Sequence, residues 1–177
     1  MDRRIAAIVG LLYDIGRLAQ LAQPSAQDTD SATLSEAFIC QYVPASLLSS
    51  DSQDALRATV RLADQLAAGG ESGQSQPRAL LSVFCQIGED PARRPKKAYL
   101  SLRPLALDKE TLFPATGIQE TTAAYARLWQ ELQDEAGKLR GETDAETYIE
   151  SLYHLLHRIT WCVPSGAEGY RFSIMAA

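Results

Sequence analysis

The chain has 177 residues, enough for one ordinary domain or a domain with a small appendage. Its 46% hydrophobic content excludes a wholly disordered chain and allows a real core. The formal charge of −5 argues against a generally basic nucleic-acid-binding surface but leaves room for a local basic patch.

Asp2 to Gln23 reads as a helix. Ile5, Ile8, Leu12 and Ile15 recur at helical spacing, Leu11, Leu18 and Leu21 widen the stripe, and Pro24 ends it. Asp14 and Arg17 interrupt its apolar run. No small-residue cleavage site follows, and there is no stretch of about 18 apolar residues, so the expectation is a cytoplasmic chain with no membrane partner. Residues 25–31 form a polar loop, and Leu34 to Val43 a second helix before Pro44. A third helix, Asp51 to Ala68, starts at a Ser50 or Asp51 cap and stops at Gly69-Gly70.

Residues 69–76 are rich in Gly and Ser. Leu81, Val83, Cys85 and Ile87 then alternate with Ser82, Phe84 and Gln86, as in a strand, and the stretch from Ala98 to Leu105 alternates again. A polar turn, GEDPARRPKK, lies between them, so the pair is expected to form a small β-hairpin. Two helices follow, Gln119 to Leu139 and Ala145 to Thr160, broken at Gly141 and Asp144. The expected fold is mainly α. Residues 1–76 are read as one helical region, 77–107 as a β-hairpin insertion, and 108–177 as a helical pair and tail on the same domain.

Chemistry-bearing residues are sparse. Cys40, Cys85 and Cys162 form no CxxC pair and are odd in number, so they are expected to be reduced, buried filler. His154 and His157 are the only histidines. Glu150 is the one further ligand near them, which favours a structural role over a metal site. No phosphate loop, dinucleotide fingerprint, G-x-S-x-G or HExxH motif is present. Arg93, Arg94, Lys96 and Lys97 form the one basic cluster. They are either a solvated turn or a contact for nucleic acid or an acidic partner. Trp129 and Trp161 are expected to anchor the core or an interface.

Five local patterns, in order, carry a resemblance: LLYDIGRL, VRLADQLAAGGE, the pair RALLSVFCQI and AYLSLRPLAL, YARLWQEL, and ESLYHLLHRITWCVPS. The first resembles the His-Asp signature of HD-superfamily metal hydrolases. Together they resemble the N-terminal HD region of the large HD–palm subunit of type III CRISPR effector complexes. That resemblance implies an HD-like helical bundle within an antiviral ribonucleoprotein. In that family the HD domain cuts single-stranded DNA with divalent metal, and palm domains bearing a GGDD motif make cyclic oligoadenylates. No GGDD motif occurs in this sequence, so the resemblance leaves a split subunit, a truncation or a divergent stand-alone relative.

The resemblance also locates the expected metal ligands. Tyr13 stands where the histidine of the His-Asp pair is expected, and Asp14 retains the aspartate. Leu34 occupies the next histidine position. Asp64 keeps the carboxylate after VRLA, and the late histidine after TWCVPS has no counterpart. Two carboxylates can hold Mg²⁺, or Mn²⁺ or Ni²⁺ in its place, only weakly through water. Each also has a plain alternative as half of a helical ion pair, Asp14 with Arg17 and Asp64 with Arg61. The expectation is a scaffold subunit that contacts other type III subunits and the guide RNA complex and has lost nuclease activity. A metal-dependent single-stranded DNA nuclease and a stand-alone regulatory binder are the alternatives.

Overall fold

The computed structural model describes residues 3–26, 28–48, 79–82, 97–116 and 122–164. The expected helix Asp51–Ala68, with Asp64 and Arg61, lies outside these residues. So do Cys85, Arg93, Arg94, Lys96 and the tail from residue 165. The described fold is mainly helical: α1 (Arg3–Leu12), α2 (Ile15–Ala22), α3 (Ser31–Tyr42), the single turn α4 (Lys109–Leu112), α5 (Thr122–Leu139) and α6 (Ala145–Thr160).

One expected N-terminal helix is two. A turn at Tyr13 and Asp14 separates α1 from α2. The apolar residues fit this break, because Ile5, Ile8, Val9 and Leu12 bury one face of α1 while Ile15, Leu18, Ala19 and Ala22 bury one face of α2. By length and composition Arg3–Ala22 is apolar enough to cross a membrane, with a mean hydropathy of 1.5 and half of that window buried. Its apolar character has a packing cause. α2 lies between α3 and α5, and α1 lies against α6 and α3, and these contacts bury one face of the arm.

α3 begins at Ser31, three residues before the expected Leu34, with Asp30 at its cap position. α5 and α6 form a helical hairpin. Asp144 caps α6 by accepting the Thr147 N–H at 2.8 Å. Arg158 on α6 pairs with Glu131 on α5 at 3.2 Å, and Arg4 on α1 reaches Glu146 at 3.1 Å. Both pairs are solvent-exposed and contribute little to stability.

Among the described residues one large apolar cluster joins α1, α2, α3, α5 and α6, beside a smaller one at Ile5 and Val9. The large cluster contains Ile8, Leu12 and Leu18 from the N-terminal arm, Phe38 and Ile39 from α3, Leu128 and Leu132 from α5, and Leu152, Leu156 and Ile159 from α6. Each fully buried Leu or Ile contributes about 1.5–3 kcal/mol relative to exposure. Phe38 packs against Tyr42 and Trp129 in tilted ring contacts, with centroids 4.5 and 5.4 Å away. Trp129 thus anchors the core as expected, although its buried Nε1 has no hydrogen-bond partner among the described residues.

Most of the expected hairpin, residues 83–96, lies outside the described residues. Among the described residues Tyr99 bridges Leu81 on one side and Ala115 on the other, both antiparallel, and no regular strand forms. Ser101 to Leu105 does not continue the pairing, for a physical reason. Pro104 has no N–H to offer, and the neighbouring groups are bonded to the end of α6 instead. Leu105 donates its N–H to the Arg158 carbonyl at 2.7 Å, and the Arg103 carbonyl accepts Trp161 Nε1–H at 2.8 Å. Trp161 therefore staples this loop to the helical hairpin.

Candidate site at the helix corner

The residues marked by the HD-like signature meet where α1, α2 and α3 converge. Tyr13 and Asp14 form the corner between α1 and α2. Asp14 occupies the N-cap position of α2 at φ −96° and ψ 4°, yet its carboxylate makes no capping bond to the helix. The bond between Arg17 and Asp14 is backbone to backbone, Arg17 N–H to Asp14 carbonyl at 3.1 Å.

Ser35 holds the corner in place. Its hydroxyl donates to the Tyr13 carbonyl at 2.6 Å and accepts the Gly16 N–H at 2.8 Å. One side chain thereby satisfies a carbonyl at the end of α1 and a donor at the start of α2, where helix termini leave both without intrahelical partners. Ser35 is 3% exposed, so each bond is made away from water. Gly16 makes the approach possible. A Cβ there would overlap the Ser31 carbonyl oxygen and lie 2.8 Å from the Ser35 nitrogen, so the first turns of α2 and α3 touch backbone to backbone. Sequence reasoning missed both Ser35 and Gly16. The available signal was a polar residue on the apolar face of LSEAFI and a glycine just after the Tyr-Asp pair.

Leu34 immediately precedes Ser35, so the two positions that lack the expected histidines, Tyr13 and Leu34, both belong to this corner. Both side chains are half-buried, and Leu34 packs against the main core. The donor set does not fit the two-metal centre that the resemblance implies. A phenol keeps its proton at neutral pH, and an alkyl group binds no metal. Among the described residues no three His, Cys, Asp or Glu side chains converge. No metal-dependent step is therefore assigned to the corner.

The other candidates lie elsewhere. His154 and His157 are exposed on α6, and the Tyr153 ring contacts both, at 5.6 and 6.0 Å. Glu150 stands 4.0 Å from His154. Lys97, the one described member of the basic cluster, is exposed. The cysteines divide. Cys162 is buried, its thiol pushed up to about 11 chiefly by burial, whereas Cys40 is exposed on α3 and is not the buried filler expected. The expectation failed at Cys40 because the residue lies on the face of α3 opposite Phe38 and Tyr42. No family model, curated protein or solved structure matches the chain.

Proposed function

We propose that the chain is a degenerate HD-type domain serving as a non-catalytic scaffold subunit of a type III CRISPR effector ribonucleoprotein in the cytoplasm. The observation that carries this reading is the order of five motif-like pieces from LLYDIGRL to TWCVPS, several of them remote from any metal ligand. The corner supports it. An HD-like signature sits at a rigid helix junction, while Tyr13 and Leu34 replace the donors that hydrolysis would need. Its partners would be the other protein subunits, the guide RNA complex and a separate palm-domain protein.

Tagged chain recovered from its native host tests the reading directly. Guide RNA and type III subunits should co-purify, and recovery without them overturns it. A nuclease assay addresses the alternative built on Asp14 and Asp64. Purified chain with Mn²⁺ and labelled single-stranded DNA should leave the DNA intact. Cleavage that is lost in an Asp14→Ala/Asp64→Ala variant would establish a residual metal site and sink the non-catalytic assignment.

A further inference from the structure

We infer that His154 and His157, three residues apart on α6, form a surface site for a late first-row divalent cation such as Ni²⁺, Cu²⁺ or Zn²⁺, whether or not the chain joins the proposed ribonucleoprotein. They are the chain's two histidines. Helical i,i+3 spacing brings their Cβ atoms to about 5–6 Å. A cation about 2.0–2.1 Å from one nitrogen of each imidazole spans that gap.

Their surroundings are not those of structural histidines. Both are exposed, the His154 side chain by 71%, and neither imidazole makes a hydrogen bond among the described residues. Their nitrogens are therefore available without breaking an internal bond. The Tyr153 ring contacts both, edge-on to His154 at 5.6 Å and tilted to His157 at 6.0 Å. Packing on a common ring restricts both imidazoles before a cation arrives, which lowers the ordering cost of chelation. Glu150 stands one turn before His154, with Oε1 4.0 Å from Nε2. Glu150 does not converge with the pair as a third ligand. It is placed as an outer carboxylate that orients a metal-bound imidazole. The nearest cationic side chain in sequence, Arg158, is paired with Glu131 on α5 at 3.2 Å.

Donor type selects the cation. Neutral imidazole suits nickel, copper and zinc, whereas Mg²⁺ and Ca²⁺ take oxygen donors. A structural zinc centre closes with four protein ligands. Two imidazoles leave the remaining positions to water, so this site is open and exchanges its ion. Chelation also ties adjacent turns of α6 together. A cation that binds the folded pair more tightly than the separated histidines of the unfolded chain raises the melting temperature.

The test titrates Ni²⁺ into the untagged, chelator-treated full chain in a Cys40→Ser/Cys85→Ser background, which removes competing thiols. Proton NMR follows the imidazole Cε1–H signals, one from each of the two histidines. Both signals should broaden together, and calorimetry should give one ion per chain. His154→Ala and His157→Ala should each weaken binding by about tenfold or more, because each turns a chelate into a single-donor contact. Glu150→Gln should weaken it severalfold. Both histidines are exposed, so each alanine variant should melt with its parent in the absence of metal. Ni²⁺ should raise the melting temperature of the parent but of neither variant, and excess Mg²⁺ should not compete. Broadening of one signal without the other, affinity unchanged in either alanine variant, or no binding at stoichiometric Ni²⁺ would each overturn the site.

Discussion

Gly16→Ala is expected to destabilise the fold by about 2–4 kcal/mol. The added methyl would overlap the Ser31 carbonyl oxygen and stand 2.8 Å from both the Ser31 carbonyl carbon and the Ser35 nitrogen. All three atoms are backbone, so no side-chain rotation relieves the clash and α2 must separate from α3. Overpacking of this kind costs about 1–3 kcal/mol. Separation also strains the bond from Gly16 N–H to the Ser35 hydroxyl, and an unsatisfied buried donor costs about 1–3 kcal/mol. Alanine's better helix propensity offsets up to about 1 kcal/mol. For a chain of this size the net loss corresponds to about 4–16 °C in melting temperature. Thermal unfolding followed by circular dichroism reads it, with Gly10→Ala and Gly137→Ala as controls. A Cβ at Gly10 or Gly137 meets nothing within 4 Å, and both lie inside helices, so these variants should gain about 0.5–1 kcal/mol each. The opposite signs are the signature of a close backbone approach. A Gly16→Ala protein that melts with the wild type or above it would refute the geometry of the corner.

Ser35→Ala should cost about 1–3 kcal/mol in urea unfolding, because it orphans the Tyr13 carbonyl and the Gly16 N–H together; a change under about 0.5 kcal/mol would contradict the clip. Asp144 has a carboxyl pKa held below its usual 3.8, first by the Thr147 N–H and then by the Thr147 hydroxyl. A folded-state pKa below the unfolded value gives stability that is present above about pH 4 and lost as pH falls through the folded value. Melting temperature should therefore drop below pH 4, and Asp144→Asn should flatten that drop; an unchanged acid limb would dismiss the cap's contribution. In a Cys85→Ser background a thiol reagent should label Cys40 promptly and Cys162 only after denaturant is added. Two fast thiols in the native protein would show that Cys162 is accessible.

Much of the helical frame was legible because it rests on periodicity. α6 was readable to its limits, since Asp144 supplies a cap and Leu152, Leu155 and Ile159 repeat at helical spacing. Other features depended on distant partners. The stripe from Ile5 to Leu18 is continuous at helical spacing, so the apolar periodicity gave no sign of a break at Tyr13. The break is stable because a serine on another helix, 22 residues away, receives the Gly16 N–H and satisfies the Tyr13 carbonyl. The alternation from Ala98 to Leu105 likewise suggested a strand, but the backbone groups of Arg103 and Leu105 bond Trp161 and Arg158, 58 and 53 residues farther on. Local pattern cannot anticipate a hydrogen bond whose other half lies elsewhere in the chain.

The same distinction separates the corner's geometry from its chemistry. Ser35 and Gly16 fix where Tyr13 and Asp14 stand, and neither role depends on a ligand. A site that loses its metal donors can therefore keep its shape, because the atoms that build the junction are a hydroxyl and a missing Cβ. Introducing imidazoles by Tyr13→His and Leu34→His would leave the Ser35 bonds intact, since those bonds use the backbone of residues 13 and 16 and the side chain of residue 35. The residues to watch when asking whether the junction survives are therefore Gly16 and Ser35.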